Sequence, residues 1–318
     1  MKYFFTLIFS IAVSVLYAQD KTMCITVDDL PVVSYGIDDP EFHLQVTQDL
    51  IRTFDKYNIP AIGYVNEFKL YEGGRLDSNQ VQLLEHWLKK GYELGNHTFS
   101  HKNYHQVPFE EYTADVTRGE KVSRELSGKY GLPYQYFRHP YLRLGLSEAH
   151  ADSLRTFLSE QGYTEAPVTI DNEDYIFAKA YHNAFQQDDQ QLMQKIGEAY
   201  VKYMTDKLLF YEESSDKLFG RNISQILLIH ASLLNARYLD ELTQVYIEHG
   251  YRFISQTDVI KDPAYDNPFT RYGDWGISWI DRWALTRGVE REFFEGDPVT
   301  PEFVHKLNNQ GRGVKDVY

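Results

Sequence analysis

The chain holds a single cysteine, Cys24, among its 318 residues. One thiol excludes an intramolecular disulfide framework, and its place in an apolar run marks it as a small buried side chain. Basic residues are the minority: 32 Lys and Arg against 46 Asp and Glu leave a net charge of −14. That balance argues against nucleic acid or an anionic membrane surface as the main partner. Internal repeats and low-complexity linkers are absent, which fits one domain with an extension better than a string of modules. The N-terminal apolar run, Tyr3 to Tyr17 behind Lys2, is short for a transmembrane helix. It reads as a signal peptide over residues 1–18, with small residues Ser14 and Ala18 before the cut and a bulkier Leu16 between them. An uncleaved anchor is the alternative. No Cys stands at the cut, which argues against a lipoprotein. The expectation is export, to the periplasm or beyond, with no stable membrane insertion after cleavage.

What is present is enough apolar material for a large core: 43% of the residues are hydrophobic and 15% aromatic. From Met23 onward the chain reads as alternating strands and helices. Strands are expected at Met23–Val27, Pro60–Val65, Tyr92–Leu94, Tyr134–Phe137, Tyr163–Ile170, Ser224–Ile229 and Tyr251–Ile254. Helices are expected at Glu41–Tyr57, Ser78–Lys90, Phe109–Tyr130, Glu148–Gln161 and Asn235–His249, with a long helical insert at about 188–219. Such β-α-β alternation gives a parallel sheet whose ligands gather at the C-terminal ends of the strands.

Chemistry-bearing residues fall at those ends. Asp28 and Asp29 close the first strand; a solvated turn would also accommodate them, but two adjacent carboxylates on a core strand repel each other and resist burial. Behind the third strand lie His97, His101 and His105, each four residues from the next. That spacing lets imidazoles converge on one metal ion from a helical turn or a tight loop. Arg138 follows the fourth strand, where it could brace a carboxylate or simply lie on the surface. His230 ends the sixth, where a satisfied structural histidine is the bland reading. In the tail, Trp275, Trp279 and Trp283 recur every four residues and would form one apolar helical stripe, packed on the main domain rather than offered to a ligand.

Together these motifs resemble the polysaccharide deacetylase, or NodB-homology, family, also called carbohydrate esterase family 4. The family pattern T-F-D-D is matched by Thr26-Val27-Asp28-Asp29, and H-[ST]-x-x-H by His97-Thr98-Phe99-Ser100-His101. R-x-P-[YFW] is matched by Arg138-His139-Pro140-Tyr141, and D-x-x-D-W by Asp171-Asn172-Glu173-Asp174, with Tyr175 in place of Trp. An apolar strand running into a histidine is matched by Ile226–His230, followed by Ala231 where many relatives carry Asp.

The resemblance implies a deformed, irregular (β/α) barrel of α/β class, and a hydrolase acting on carbon–nitrogen, not peptide, bonds of an acetylated glycan. It implies one divalent ion, most often Zn2+, held by Asp29, His97 and His101, with His105 left a structural or outer role. Asp28 is implied as general base, His230 as general acid and the backbone N–H of Tyr141 as oxyanion donor. Arg138 would brace Asp28, and Asp174 would orient Arg138. N-acetyl groups of amino sugars are the expected target. O-acetyl groups of xylan-like glycans, or glycan binding without catalysis, are the alternatives. The deacetylase domain is expected over 19–260 and the extension over 261–318.

Overall fold

The run Met23–Val27 is apolar on both sides because both of its faces are covered, as parallel sheets require. The computed structural model describes residues 21–308. The signal peptide expected at 1–18 and the end of the extension, 309–318, lie outside the described residues. The chain runs β1 (Lys21–Val33), α1 (Pro40–Tyr57), β2 (Ile62–Val65), a small hairpin β3 (Tyr71–Glu72) and β4 (Arg75–Leu76), α2 (Ser78–Lys89) and β5 (Glu93–Asn96). Next come α3 (Phe109–Arg118), α4 (Lys121–Lys129), β6 (Tyr136–Phe137), α5 (Glu148–Glu160), β7 (Thr164–Glu165), α6 (Asp174–Gln186) and α7 (Gln190–Phe219). The last elements are β8 (Gln225–Ser232), α8 (Leu233–Glu248), β9 (Tyr251–Phe253), α9 (Gln256–Val259), α10 (Trp279–Arg287) and α11 (Glu302–Asn308).

The main sheet has the order β7-β6-β5-β2-β1-β8, with β9 on the start of β1, and every pairing in it is parallel. It curls until its ends meet. Beyond β7, Ile170 forms a parallel bridge to Leu227 of β8, and the Thr169 N–H donates to the Ile226 carbonyl at 3.0 Å. The strand expected over Tyr163–Ile170 is therefore two short pieces with different partners. Pro167 lies between them, and having no N–H it cannot continue a ladder. The result is the irregular α/β barrel expected from the motifs.

Alternation along the strands sorts two layers. Cys24, Ile62, Tyr64, Tyr136, Ala166 and Ile226 form one small buried cluster. Met23, Ile25, Val27 and Leu227 belong to the larger core shared with the helices. Asp28 is in phase with Cys24 along β1, and it pairs in register with His230 on the neighbouring β8.

Local chemistry sets the helix ends. Asp39 caps α1 ahead of Pro40, and Asn58 ends it in the left-handed conformation. Asp77, not the expected Ser78, caps α2: its carboxylate accepts from the Asn79 N–H at 2.8 Å. The helix expected over Phe109–Tyr130 breaks into α3 and α4 at Gly119, because the histidine loop presses against it there. A Cβ on Gly119 would lie 2.3 Å from the Thr98 carbonyl carbon. The insert is one 30-residue helix, α7, ended by Gly220 at φ 69°. Helix α6 was not expected; its first residue is the last Asp of the fourth motif.

The tryptophan stripe holds for two of its three members. Trp279 and Trp283 lie on α10 and are buried against Phe269, with Phe219 and Tyr265 also on Trp283. Trp275 lies outside the helix, because Ser278 starts α10 by accepting from the Ile280 N–H at 3.1 Å.

Candidate metal-dependent active site

The second motif is a strained loop, not a helical turn. Thr98 and His101 both have positive φ, 67° and 55°. Side chains hold them there. Asn96 accepts from the Thr98 N–H at 2.7 Å, and the Thr98 hydroxyl accepts from the His101 N–H at 2.9 Å. Asp115 of α3 fastens the loop from behind: its carboxylate takes the Ser100 N–H and hydroxyl at 2.9 and 2.8 Å, and its carbonyl takes the Phe99 N–H. His97 Nδ1 donates to the Arg138 carbonyl at 2.8 Å, which turns Nε2 inward as an acceptor.

Asp29 is delivered by an irregularity of β1. The pairing register shifts between Val27 and Leu30, and Asp29 has φ 65°. Lys69 pins the Asp29 carbonyl at 2.7 Å. The Asp29 carboxylate then lies 3.6 Å from Nε2 of both His97 and His101. The donor atoms of the three residues lie within 4.8 Å of one another.

Those distances are too long for hydrogen bonds, and Asp29 Oδ1 is buried without any partner. A buried carboxylate oxygen left alone between two imidazole nitrogens is costly unless a cation completes the set. Protonation states agree. Burial foremost, with the neighbouring imidazole second, pushes His97 well below its ordinary value, and burial also lowers His101, so both are neutral and free to ligate. Burial opposes ionisation of Asp29, yet Lys69 foremost, with the charged His230, holds its carboxyl far below the usual range. The two-imidazole, one-carboxylate set therefore fits a divalent ion.

His105 stands apart from this set. The Gly145 N–H donates to its Nε2 at 3.0 Å, and its Nδ1 donates to Asp274 at 3.2 Å. Both ring nitrogens are engaged in structure.

Asp28 is buried beside the cluster, with Oδ2 at 3.9 Å from His97 Nε2 and 4.0 Å from Arg138 Nη1, and Oδ1 without a partner. Burial pushes its carboxyl up to about 6, against the pull of Arg138 and His230. Arg138 is fully buried, donates to the Thr26 hydroxyl at 2.9 Å and lies 4.7 Å from the Tyr64 ring centroid.

Asp174 does not sit behind Arg138 as expected. Its Oδ1 takes His230 Nδ1 at 2.6 Å, and its Oδ2 takes the His230 N–H at 2.8 Å and Asn235 Nδ2 at 2.7 Å. The reason is the chain path. Asn172 staples the fourth motif to β8 through the Leu228 carbonyl at 2.7 Å, and α6 starts there with Asp174 facing His230. Ala231 therefore leaves no gap: Asp174 is the partner of His230. Burial works against the charged imidazole, but Asp174 foremost, with Asp29 and Asp28, outweighs it and raises His230 to about 9.

Two further members went unrecognised in the sequence. Asn235, in the first turn of α8, also donates to the His230 carbonyl at 2.8 Å, and Tyr200 of the insert helix α7 donates to Asn235 at 2.5 Å. An Asn at the start of an expected helix, five residues beyond a strand-end histidine, was the signal in the sequence; that it is fully buried emerges from the fold. At the rim, Tyr141 is 48% exposed, with its ring 4.5 Å from that of His101, and Tyr175 is 45% exposed at 6.1 Å from the His230 ring.

Residues 17–166 match the family model described as polysaccharide deacetylase. The fourth and fifth motifs lie beyond that stretch. A wild-type family 4 pseudoenzyme of Bacillus anthracis aligns at 13% identity over 76% of this chain and 66% of its own, with a TM-score of 0.50. A mutant of that pseudoenzyme with restored enzymatic activity aligns at 14% identity over 76% and 68%, also at 0.50. A peptidoglycan deacetylase of Bacillus subtilis aligns at 18% identity over 76% and 91%, at 0.46. No curated protein sequence matches the chain. Over residues 17–166 the chain is similar to the polysaccharide deacetylases.

Proposed function

We propose that the chain is a metal-dependent hydrolase that removes acetyl groups from a glycan, N-acetyl groups of amino sugars foremost, and acts after export. One observation carries the reading: a two-histidine, one-aspartate cluster with a buried, unpartnered carboxylate oxygen is flanked by Asp28 and His230, paired in register on adjacent strands. Asp29, His97 and His101 would hold one divalent ion, zinc being the usual choice of such a donor set. Bound there, the ion would supply a Lewis acid for the acetyl carbonyl and lower the pKa of a water molecule.

The other steps belong to side chains. Asp28, with one oxygen free of other bonds, would take the proton of the attacking water. Arg138, 4.0 Å away, would favour its charged form beforehand. The water oxygen bonds to the acetyl carbon, the C–N bond breaks, and His230 gives its proton to the departing nitrogen. Acetate and a free amine result. Asp174 would keep His230 charged and its Nε2–H directed at the leaving group. The Tyr141 backbone N–H would meet the negative oxygen that develops on the carbonyl.

The test is acetate release from chitooligosaccharides, peptidoglycan and acetylxylan, run with metal-loaded and chelated protein. Release from an N-acetylated glycan that stops on chelation supports the reading. Release from acetylxylan alone would replace the amide by an ester, and release from none would overturn hydrolysis altogether.

A further inference from the structure

The loop that carries Tyr141 is held from outside the motifs. Tyr141 and Leu142 are consecutive residues at positive φ, 58° and 52°, a conformation that costs an L-residue on the order of 1 kcal/mol or more and persists only where the surroundings impose it. The surroundings here are the C-terminal extension. Arg282 of α10 is 1% exposed, and its Nη2 donates to the Leu142 carbonyl at 2.7 Å and to the Trp275 carbonyl at 3.4 Å. Gly276 closes on the same turn: a Cβ there would lie 1.7 Å from the Tyr141 carbonyl oxygen. Asp274 adds a surface clasp, pairing with Arg143 at 2.8 Å and with His105 of the histidine loop at 3.2 Å.

The extension is itself anchored in the barrel seam. The Trp279 N–H donates to the Val168 carbonyl at 2.7 Å and the Ser278 hydroxyl to the Thr169 carbonyl at 2.8 Å, where the chain changes partner from β6 to β8.

We propose that Arg282 is a positioning residue of the reaction, clamping the left-handed Tyr141–Leu142 turn so that Tyr141 stays against His101. On this view residues 274–283 form a wall of the site rather than an appendage. The inference rests on the deacetylase reading for its catalytic consequence, but the clamp itself can be read without activity. Arg282 touches none of Asp29, His97 or His101, so its loss should spare the metal while disturbing the turn.

The experiment compares wild type with Arg282→Met, Arg282→Lys, Gly276→Ala and Thr286→Ala. Thr286 bonds the Thr270 N–H within the same extension, away from the turn, and controls for general loosening. Zinc content, kcat and KM are measured, together with the rate of tryptic cleavage after Arg143, the residue that follows the turn. Arg282→Met is expected to retain zinc, to lose about 10- to 100-fold in kcat with KM moving less, and to be cut after Arg143 about tenfold faster. Arg282→Lys, which keeps a donor, should recover much of both. Gly276→Ala should reproduce the kcat loss from the opposite side of the turn, and it serves if Arg282→Met fails to fold. Wild-type kcat and an unchanged cleavage rate in both Arg282→Met and Gly276→Ala would overturn the clamp, as would an equal kcat loss in Thr286→Ala. A wild type that releases no acetate overturns the deacetylase reading instead, and the cleavage rates still decide the clamp.

Discussion

The two halves of the site are built by opposite means. On one side, Asp29, His97 and His101 are placed by backbone strain at Asp29, Thr98 and His101, all at positive φ, with Lys69 pinning the first and side chains of the histidine loop the other two. Their imidazoles are kept neutral. On the other side, His230 is kept charged by Asp174, with Asn235 and Tyr200 contributed from two further helices. Two neutral imidazoles suit a cation, and one charged imidazole suits proton donation. Burial pushes all three toward neutrality, so a partnering carboxylate engaging the ring directly is what separates the roles.

The sharpest way to break this contrast is on the neutral side. His97→Ala or His101→Ala should abolish stoichiometric metal binding in a folded protein and lower deacetylation by about three orders of magnitude or more. Metal analysis of the purified variant checks this, and an unchanged metal content would end the ligand assignment. Asp28→Asn comes next. It should keep the metal and lose about 10²- to 10⁴-fold in kcat, since only the proton acceptor is gone. Parallel loss of metal and rate would move Asp28 into the ligand set.

On the charged side the prediction is a pH profile. In the proposed reaction Asp28 acts ionised and His230 protonated, so kcat should fall as pH drops through about 6 and as it rises through about 9. His230 is raised above its ordinary 6.5, so its charged pairing also contributes stability that is complete below 6.5 and lost as pH rises through about 9. Asp174→Asn removes the charge that sustains this. Its alkaline limb should slide from about 9 toward 6.5 or lower while zinc affinity changes little. An unmoved limb would mean that another group sets it.

The same division explains what the sequence made legible. Each metal-side residue lies within a contiguous motif at a strand end, and the periodicity of β1, β2 and β5 brought those ends together. The strained loop itself was not readable, because Asp115, which fastens it, acts from a different helix. The break at Gly119 was hidden for the same reason, being imposed by packing of the loop rather than by propensity. Asp174 was matched to its motif but given the wrong partner, since only the path of α6 decides which buried cation it meets. The insert helix read correctly as a helix, yet nothing in its period shows that Tyr200 reaches the third residue of a chain ending on His230.

That outermost link gives the smallest expected effect and the finest test of the contrast. Tyr200→Phe keeps the ring and removes only the hydroxyl that donates to Asn235 Oδ1. Asn235 is fully buried, so its amide oxygen is then left without that donor, at a cost of about 1–3 kcal/mol in stability. Asn235 can still donate to Asp174, but less firmly held it stabilises the Asp174 carboxylate less and leaves His230 a weaker partner. The alkaline limb should therefore move down by less than one pH unit, with kcat at neutral pH reduced by no more than a few-fold and metal content unchanged. A drop in metal content would show that the two halves share more than a boundary. A limb that moves as far as in Asp174→Asn would make the insert helix, not Asp174 alone, the element that keeps His230 charged.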